Sequence, residues 1–427
     1  MSDSVNLRPG FVARLGALFW APGWRQVHYL YWVAFAVATL PLGIFNAAAF
    51  HGLFSFDTWP FDRTGHILGR DFINYWTASI LFHSDRLAEV FDLGLFHEMQ
   101  QQLMGRDYPF HLWSYPPTAL FVVLPLGGLP YLWAFALWVA VTLAFYLFAA
   151  KRFGVTKLEL AALALAPSTF INFFAGQNGF LTAGLLILGL ALLDRRPLLA
   201  GILFGLLSFK PQLGLLIPIA LCAAQLWRPF VTAAITTITL LAASVAVFGW
   251  ESWRAYLDVN AQAQSTMLHQ AEGAFVQWMP TAFMSGRILG LDVVSSYVLQ
   301  AVVAALAVGG VIWVFRTTRD RQWQGVTLLA GSALATPYLH AYDLPLLSMA
   351  VLWAFRLGYR DGFLPGEHVV LFAAWALPIL VFGVNAYGIP VGPVIMLCLF
   401  ATILLRARAS ASAETAPASP SSRPEIL

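Results

Sequence analysis

Charge is what this sequence has least of. Asp, Glu, Lys and Arg make up 11% of its 427 residues, against 59% apolar residues. An ordinary soluble domain carries about 25% charged residues, so there is too little charge here to cover a water-facing surface of normal size. Cysteine is nearly absent. Cys222 and Cys398 each sit in an apolar run, and two buried thiols make neither a disulfide framework nor a metal site. The excess of base over acid is only +3, which argues against the basic face that nucleic acid requires. There is no G-x-x-x-x-G-K-[ST] phosphate loop and no G-x-G-x-x-G fingerprint, and no His/Cys cluster has zinc-ligand spacing. These gaps weigh against a soluble nucleotide-sugar or ATP site, and no cofactor or metal is expected. No cleavable signal peptide is read either. Residues 1–27 are mixed, with Arg8, Arg14 and Arg25, and the apolar run that follows is long enough to span and remain.

What the sequence has in abundance is long apolar runs. They fall near 28–50, 131–150, 158–175, 180–193, 198–209, 212–227, 229–249, 289–315, 324–337, 343–357, 367–384 and 388–405. Runs of roughly 18 or more residues read as membrane-spanning helices, and a transmembrane β-barrel shows short alternating segments instead. The expectation is an all-α polytopic membrane protein with about twelve crossings (11–13). Several runs are shorter than a full span, so some helices are expected to be broken or tilted. Residues 1–27 form a cytoplasmic segment, 28–405 the transmembrane domain, and 406–427, rich in Ala, Ser and Pro, a disordered cytoplasmic tail. With a cytoplasmic N-terminus and a single crossing in 116–150, 17 of the 24 basic residues fall on the cytoplasmic side. A second crossing at 116–128 reverses that bias. The segment 116–130 is therefore read as re-entrant, or as an outer-face segment leading into one crossing. The expected location is the bacterial inner membrane, with the outer loops periplasmic.

In that topology five polar segments share the outer face: the first loop 51–115, GQNGF at 176–180, SFKPQ at 208–212, the loop 250–288 and PYLHAYD at 337–343. The first loop carries eight acids, four bases and five of the nine histidines, and it is too long to be a mere connection. Its segments 72–83 and 94–104 have helical spacing with apolar and polar faces, as interfacial helices do. Lys210 interrupts an apolar stretch between Gly205 and Pro218. An ionisable residue at such a position lines a polar cavity or snorkels at a helix end. Gln177 and Asn178 make a similar polar break, whose plain role is to satisfy a turn. His340 and Asp343 bracket Tyr342; beside Lys210 they make a candidate anion site. Trp250, Trp253 and Trp278 in the second loop read as interface anchors more than as a sugar platform.

A cationic pocket beside a carboxylate and a lipid-facing groove suits an amphipathic lipid-phosphate substrate. In sugar transfer from a polyprenyl-phosphate sugar, a carboxylate can deprotonate the acceptor hydroxyl. Lys, Arg or protonated His can stabilise the charge that develops on the departing phosphate. One base and one clamp suffice for an inverting single displacement, whereas hydrolytic glycosidases use two carboxylates.

The stretches GRDFINYWTAS (69–79), YPP (115–117), GQNGFLTAGLL (176–186), AGILFGLLSFKPQLGLL (200–216) and PYLHAYDLPLL (337–347) resemble glycosyltransferase family 87. The resemblance runs from about residue 28 to 405. It implies a GT-C-type helical bundle and a polyprenyl-phosphate-mannose-dependent α-mannosyltransferase-like hexosyltransferase of the cell envelope. Within that resemblance Asp71 is the catalytic base, with Tyr75 four residues on. His340 and Lys210 contact the donor phosphate, and Arg70, Gln177, Asn178, Tyr342 and Asp343 are further site candidates. Where some members have paired histidines, this chain has His340 followed by Ala341 and Tyr342. Arg70 adjoins Asp71 and either lowers its pKa or binds phosphate. Asp71 is also placed to N-cap the helix that begins near Phe72. The implied partners are a polyprenyl-phosphate sugar donor, a glycan or glycolipid acceptor, and membrane lipid. Mannose is the family's donor sugar, with arabinose, glucose and galactose as alternatives. Competing readings are a lipid or solute transporter or flippase, a lipid-linked glycan polymerase or ligase, and a non-catalytic scaffold.

Overall fold

A computed structural model describes residues 52–415. The expected first span, the N-terminal segment and residues 416–427 lie outside the described residues. Within them every regular element is a helix; the only β geometry is two isolated bridges, Phe54–Asp62 and Phe61–Ile67.

Among the described residues, five helices are long and apolar enough to cross a membrane: Tyr131–Phe153, Trp227–Phe248, Val293–Thr317, Glu367–Ala386 and Gly392–Ala409. Lys157–Ala164 and Pro167–Ala175, bent by 47°, make a sixth if taken as one span. Of the twelve expected crossings, the run 28–50 lies outside these residues, and five or six of the others reach spanning length. The other described apolar stretches form shorter helices, among them Pro117–Gly128, Gly179–Leu192, Pro197–Phe209 and Pro211–Ala223. At about 1.5 Å per residue, the twelve residues of Pro117–Gly128 reach about 18 Å, short of a hydrocarbon core of about 30 Å.

Local sequence explains where the helices begin and end. Tyr131–Phe153 follows Pro130 and stops at Gly154 in the left-handed region, with Lys151 and Arg152 in its last turn. Val293–Thr317 is capped by Asp292, whose carboxylate accepts from the Val294 and Ser295 amides. Trp227–Phe248 shows the membrane character most openly. It buries only Pro229, Ser244 and Phe248 and leaves Val231, Ile235, Ile238, Leu241 and Val247 exposed. An apolar face of that extent suits lipid and not water. At the opposite extreme, Arg321–Ala335 is buried from Trp323 to Ala335 and packs against Val293–Thr317, Pro345–Asp361 and Gly392–Thr415.

Several expectations need correction. Cys222 and Cys398 are exposed on the outside of the bundle, not buried; an apolar run also supplies the lipid-facing side of a helix. Phe72–His83 is a helix, but protein encloses it almost all round, with nine of its residues buried. It is therefore a core element and not a two-faced interfacial helix. Leu93–Met104 does have two faces, burying Phe96, Met99 and Gln100. The loop 250–288 is largely helical, from Trp250–Ala255 through Ala282–Ile288. The last helix runs to Thr415, past the expected boundary at 405. Arg406 anchors that extension: its guanidinium is buried against the Glu367 carboxylate and donates to the Gly362 carbonyl.

Candidate functional site

Three turns meet at one place. The first, Gly69–Asp71, opens the helix Phe72–His83. The second, Gly176–Asn178, separates Pro167–Ala175 from Gly179–Leu192. The third runs through His340–Asp343. The Asp71 amide donates to the Ala175 carbonyl at 3.0 Å, clamping the first turn to the second. Gly176 adopts φ +67°, and a side chain there would strike the Gly69 carbonyl; a side chain on Gly179 would strike the Tyr342 carbonyl. Only glycine permits so close an approach of backbones.

The turns open onto a cavity of about 310 Å³. All five polar segments expected to share a face contribute to it. The first loop gives Asp71, Arg70 and His111, the second segment Gln177, and the third Lys210 and Gln212. The fourth gives Gln264 and Trp278, and the fifth His340 and Tyr342. Trp278 thus faces the cavity, where an interface anchor was expected; Trp250 is largely exposed.

Asp71 occupies the N-cap position but its side chain makes no capping bond. One carboxylate oxygen accepts from Gln177 Nε2 at 3.0 Å and the other lies 3.3 Å from His111 Nδ1. The side chain keeps 29% of its surface open. Burial pushes this carboxyl up, but His111, then Gln177 and His340, outweigh it and hold the group below the usual carboxylate range. Gln177 is itself fixed. Its Oε1 accepts from Tyr75 at 2.5 Å and from Tyr115 at 2.7 Å, so both lone pairs are used and Nε2 must face Asp71. Tyr75 is therefore a positioning residue. Its hydroxyl donates to Gln177 beside the Tyr115 hydroxyl, and it does not line the cavity, where a substrate contact was expected.

At the Lys210 part of the lining a helix breaks, as Pro211 requires. A 3₁₀ turn, Leu207–Phe209, gives way to Lys210, and the chain restarts at Pro211. The Lys210 ammonium is buried in an ion pair with Asp343 and donates to Asn178 Oδ1 at 2.9 Å. The Tyr342 ring lies 5.4 Å from it. Asn178 and Asp343 do not line the cavity; they hold Lys210 in place, where substrate contacts were expected. His340 stacks on Tyr342 at 4.9 Å, nearly parallel, with Phe275 and Tyr338 edge-on at 5.1 and 5.0 Å. Burial, together with the Lys210 charge and against the pull of Asp343 and Asp71, lowers the His340 pKa to about 4. At neutral pH it offers a hydrogen bond and no charge.

Arg70 also departs from expectation. Its guanidinium donates to Asp62 at 2.6 Å and Thr64 at 3.1 Å, not to its neighbour Asp71. Its backbone, at φ +23°, turns the two side chains apart. Both cavity cations are thus already paired with carboxylates, and the open charge is that of Asp71. The resting cavity is not the cationic pocket expected from sequence.

His111 went unmarked in the sequence, one of five histidines in the first loop with no motif around it. The fold places it through its neighbours' carbonyls. Asn74 donates to the Leu112 carbonyl at 3.1 Å, Asn260 to Trp113 at 3.0 Å and Gln264 to Ser114 at 3.2 Å. Gln100 donates to the His111 carbonyl at 3.2 Å. These bonds satisfy an extended segment that has no sheet to join.

Residues 113–339, more than half of the sequence, match the profile of glycosyltransferase family 87. The chain belongs to that family. A member with several apolar helices of spanning length is a membrane glycosyltransferase. The matched stretch carries Gln177, Asn178 and Lys210, begins after Asp71 and stops one residue before His340. No curated protein and no solved structure matches the chain.

Proposed function

We propose that this family-87 enzyme transfers a hexosyl residue from a polyprenyl-phosphate sugar to a hydroxyl of an envelope glycan or glycolipid, in a cavity on the outer face of the inner membrane. The observation that carries this reading is the make-up of the cavity. An ionised, open Asp71 lines it together with Lys210, His340 and Tyr342. Asp71 takes the proton from the acceptor hydroxyl, whose oxygen attacks C1 of the donor sugar. The C1–O bond to phosphate breaks, and its electron pair leaves with the polyprenyl phosphate. One displacement inverts the anomeric centre. A carboxylate below the usual range is ionised at neutral pH, as a base must be.

The leaving phosphate meets hydrogen-bond donors more than net charge. Lys210 has three ammonium protons and spends two on Asp343 and Asn178. His340 and Arg70 are among the other donors lining the cavity. As the bond to C1 breaks, donors fixed in a dry site stabilise the growing charge at no cost in reorganisation. Mannose is the first donor to test, from the family resemblance. In this scheme the chain's own side chains serve as base and clamp without a metal.

The test uses purified wild type and Asp71→Asn with radiolabelled polyprenyl-phosphate mannose and a membrane lipid extract. Labelled product from wild type, lost in the folded variant, is the expected result. Failure with a panel of lipid-phosphate sugars overturns the reading and advances a transporter.

A further inference from the structure

A second pocket of about 270 Å³ adjoins the reaction cavity. Ser114, Tyr115, Gln212, Gln264 and Tyr338 line both spaces, so the two meet along a common wall. The far side comes from the turn Tyr256–Asn260, the helix Ala261–Gln270 and Tyr297. Nothing in the scheme above uses this pocket.

Its lining holds no charged side chain, which disfavours a phosphate or other ion. A hydrocarbon chain has a better place nearby. A groove of about 410 Å³, sharing Pro211 with this pocket, is lined almost wholly by apolar residues such as Phe204, Leu207, Leu221 and Ile238. The second pocket instead combines the rings of Tyr256, Tyr297 and Tyr338 with the amides of Gln212 and Gln264 and the hydroxyl of Ser265. Flat ring faces accept the C–H face of a sugar, while neutral amides and hydroxyls, each able to donate or accept, meet its rim.

We propose that this pocket binds an uncharged sugar ring next to the one that reacts, so that the acceptor is a glycan of at least two residues. The inference rests on the glycosyl-transfer reading. The reacting ring lies in the main cavity against Asp71. Its neighbour passes the Gln212–Gln264 wall and lodges between Tyr256 and Tyr297.

The full-length protein in lipid nanodiscs is titrated with octyl glycosides of mannose, glucose, galactose and arabinose, each as mono- and disaccharide. For at least one sugar the disaccharide binds about tenfold more tightly, as one or two added hydrogen bonds supply. Ser265→Trp, which fills the second pocket from a position outside the reaction cavity, removes that advantage. Tyr256→Phe reduces it about threefold and carries the comparison if Ser265→Trp does not fold. The proposal is overturned if no disaccharide outperforms its monosaccharide, or if the advantage survives both variants. Transfer assays on the same preparations separate the two readings. Transfer without disaccharide preference overturns the pocket alone. Disaccharide-specific binding without transfer from any polyprenyl-phosphate sugar overturns the reaction instead.

Discussion

Asp71 and Asp343 are both aspartates in turns at the mouths of helices, and the fold brings their turns together. Their fates differ. Asp343 is 1% exposed and its carboxylate is consumed by the Lys210 ammonium. Asp71 keeps 29% of its side-chain surface open and has only an amide and an imidazole beside it. A carboxylate paired with a buried cation is a structural strut. One held by an amide and an imidazole, with no buried cation locked onto it, keeps a free lone pair for a proton. The local sequences, GRDF and AYDL, do not distinguish these roles; the neighbours contributed by the rest of the chain do.

The largest effect that sharpens this contrast is on catalysis. Asp71→Asn keeps an oxygen to accept from Gln177 and loses the base. We expect transfer to fall about 10²–10⁴-fold with little change in thermal stability, measured by initial rates and an unfolding scan on the same preparation. Retained transfer would make Asp71 no different in kind from Asp343.

Asp343 is expected to behave the other way. Asp343→Leu leaves the Lys210 ammonium buried without its ion-pair partner, which costs about 3–5 kcal/mol. The paired replacement Lys210→Met with Asp343→Leu restores most of that loss, since apolar residues of similar volume substitute well for a buried pair. Recovery of fold without recovery of transfer places Lys210 in both roles, strut and phosphate contact. Recovery of both leaves Lys210 structural only. Thermal unfolding in detergent, run beside the transfer assay, reads both quantities.

How much of this was legible beforehand follows from which interactions are local. Composition alone announces a helical membrane protein, because too few charges cannot make a soluble surface. Lys210 stands out because a charge followed by proline in an apolar run is conspicuous, and the break occurs there. The partners were not legible. Lys210 meets Asp343 across 133 residues, and Gln177 meets Asp71 across 106. Adjacency along the chain even misled, since Arg70 turns to Asp62 and leaves Asp71 to His111. Helix lengths were not legible for a related reason. Apolar runs such as 198–209 and 212–227 become short helices, and hydrophobicity alone does not say whether a run is long enough in space to cross.

A subtler test of the contrast uses pH. Asp71 sits below the 3.8 of a free aspartate, with His111 the largest influence acting against burial. A depressed carboxyl stays ionised until the pH falls through its lowered value, so this base leaves wild-type kcat/KM flat on the acid side down to that value and lets it fall beyond. His111→Ala removes the main stabilising partner and leaves burial in force, so the acid limb moves to higher pH. Asp343 variants, having lost no base, give no such displacement in whatever activity they retain. A pH–rate profile for His111→Ala that superimposes on wild type would remove His111 from the site.

The smallest effect concerns the support behind Gln177. Tyr115→Phe deletes one of two hydroxyls that fill the Gln177 oxygen, and Tyr75 still donates to it. The loss of one buried hydrogen bond costs about 1 kcal/mol, and the amide keeps its orientation, so the rate should drop less than tenfold. Tyr75→Phe with Tyr115→Phe removes both. The amide is then free to flip and present its oxygen to Asp71, placing an acceptor against a carboxylate. That repulsion disfavours the ionised base, so the double variant should lose more than the product of the single losses and show an acid limb displaced upward. A double loss equal to that product, with no displacement, would mean that the tyrosines hold the fold and do not set the proton affinity of Asp71.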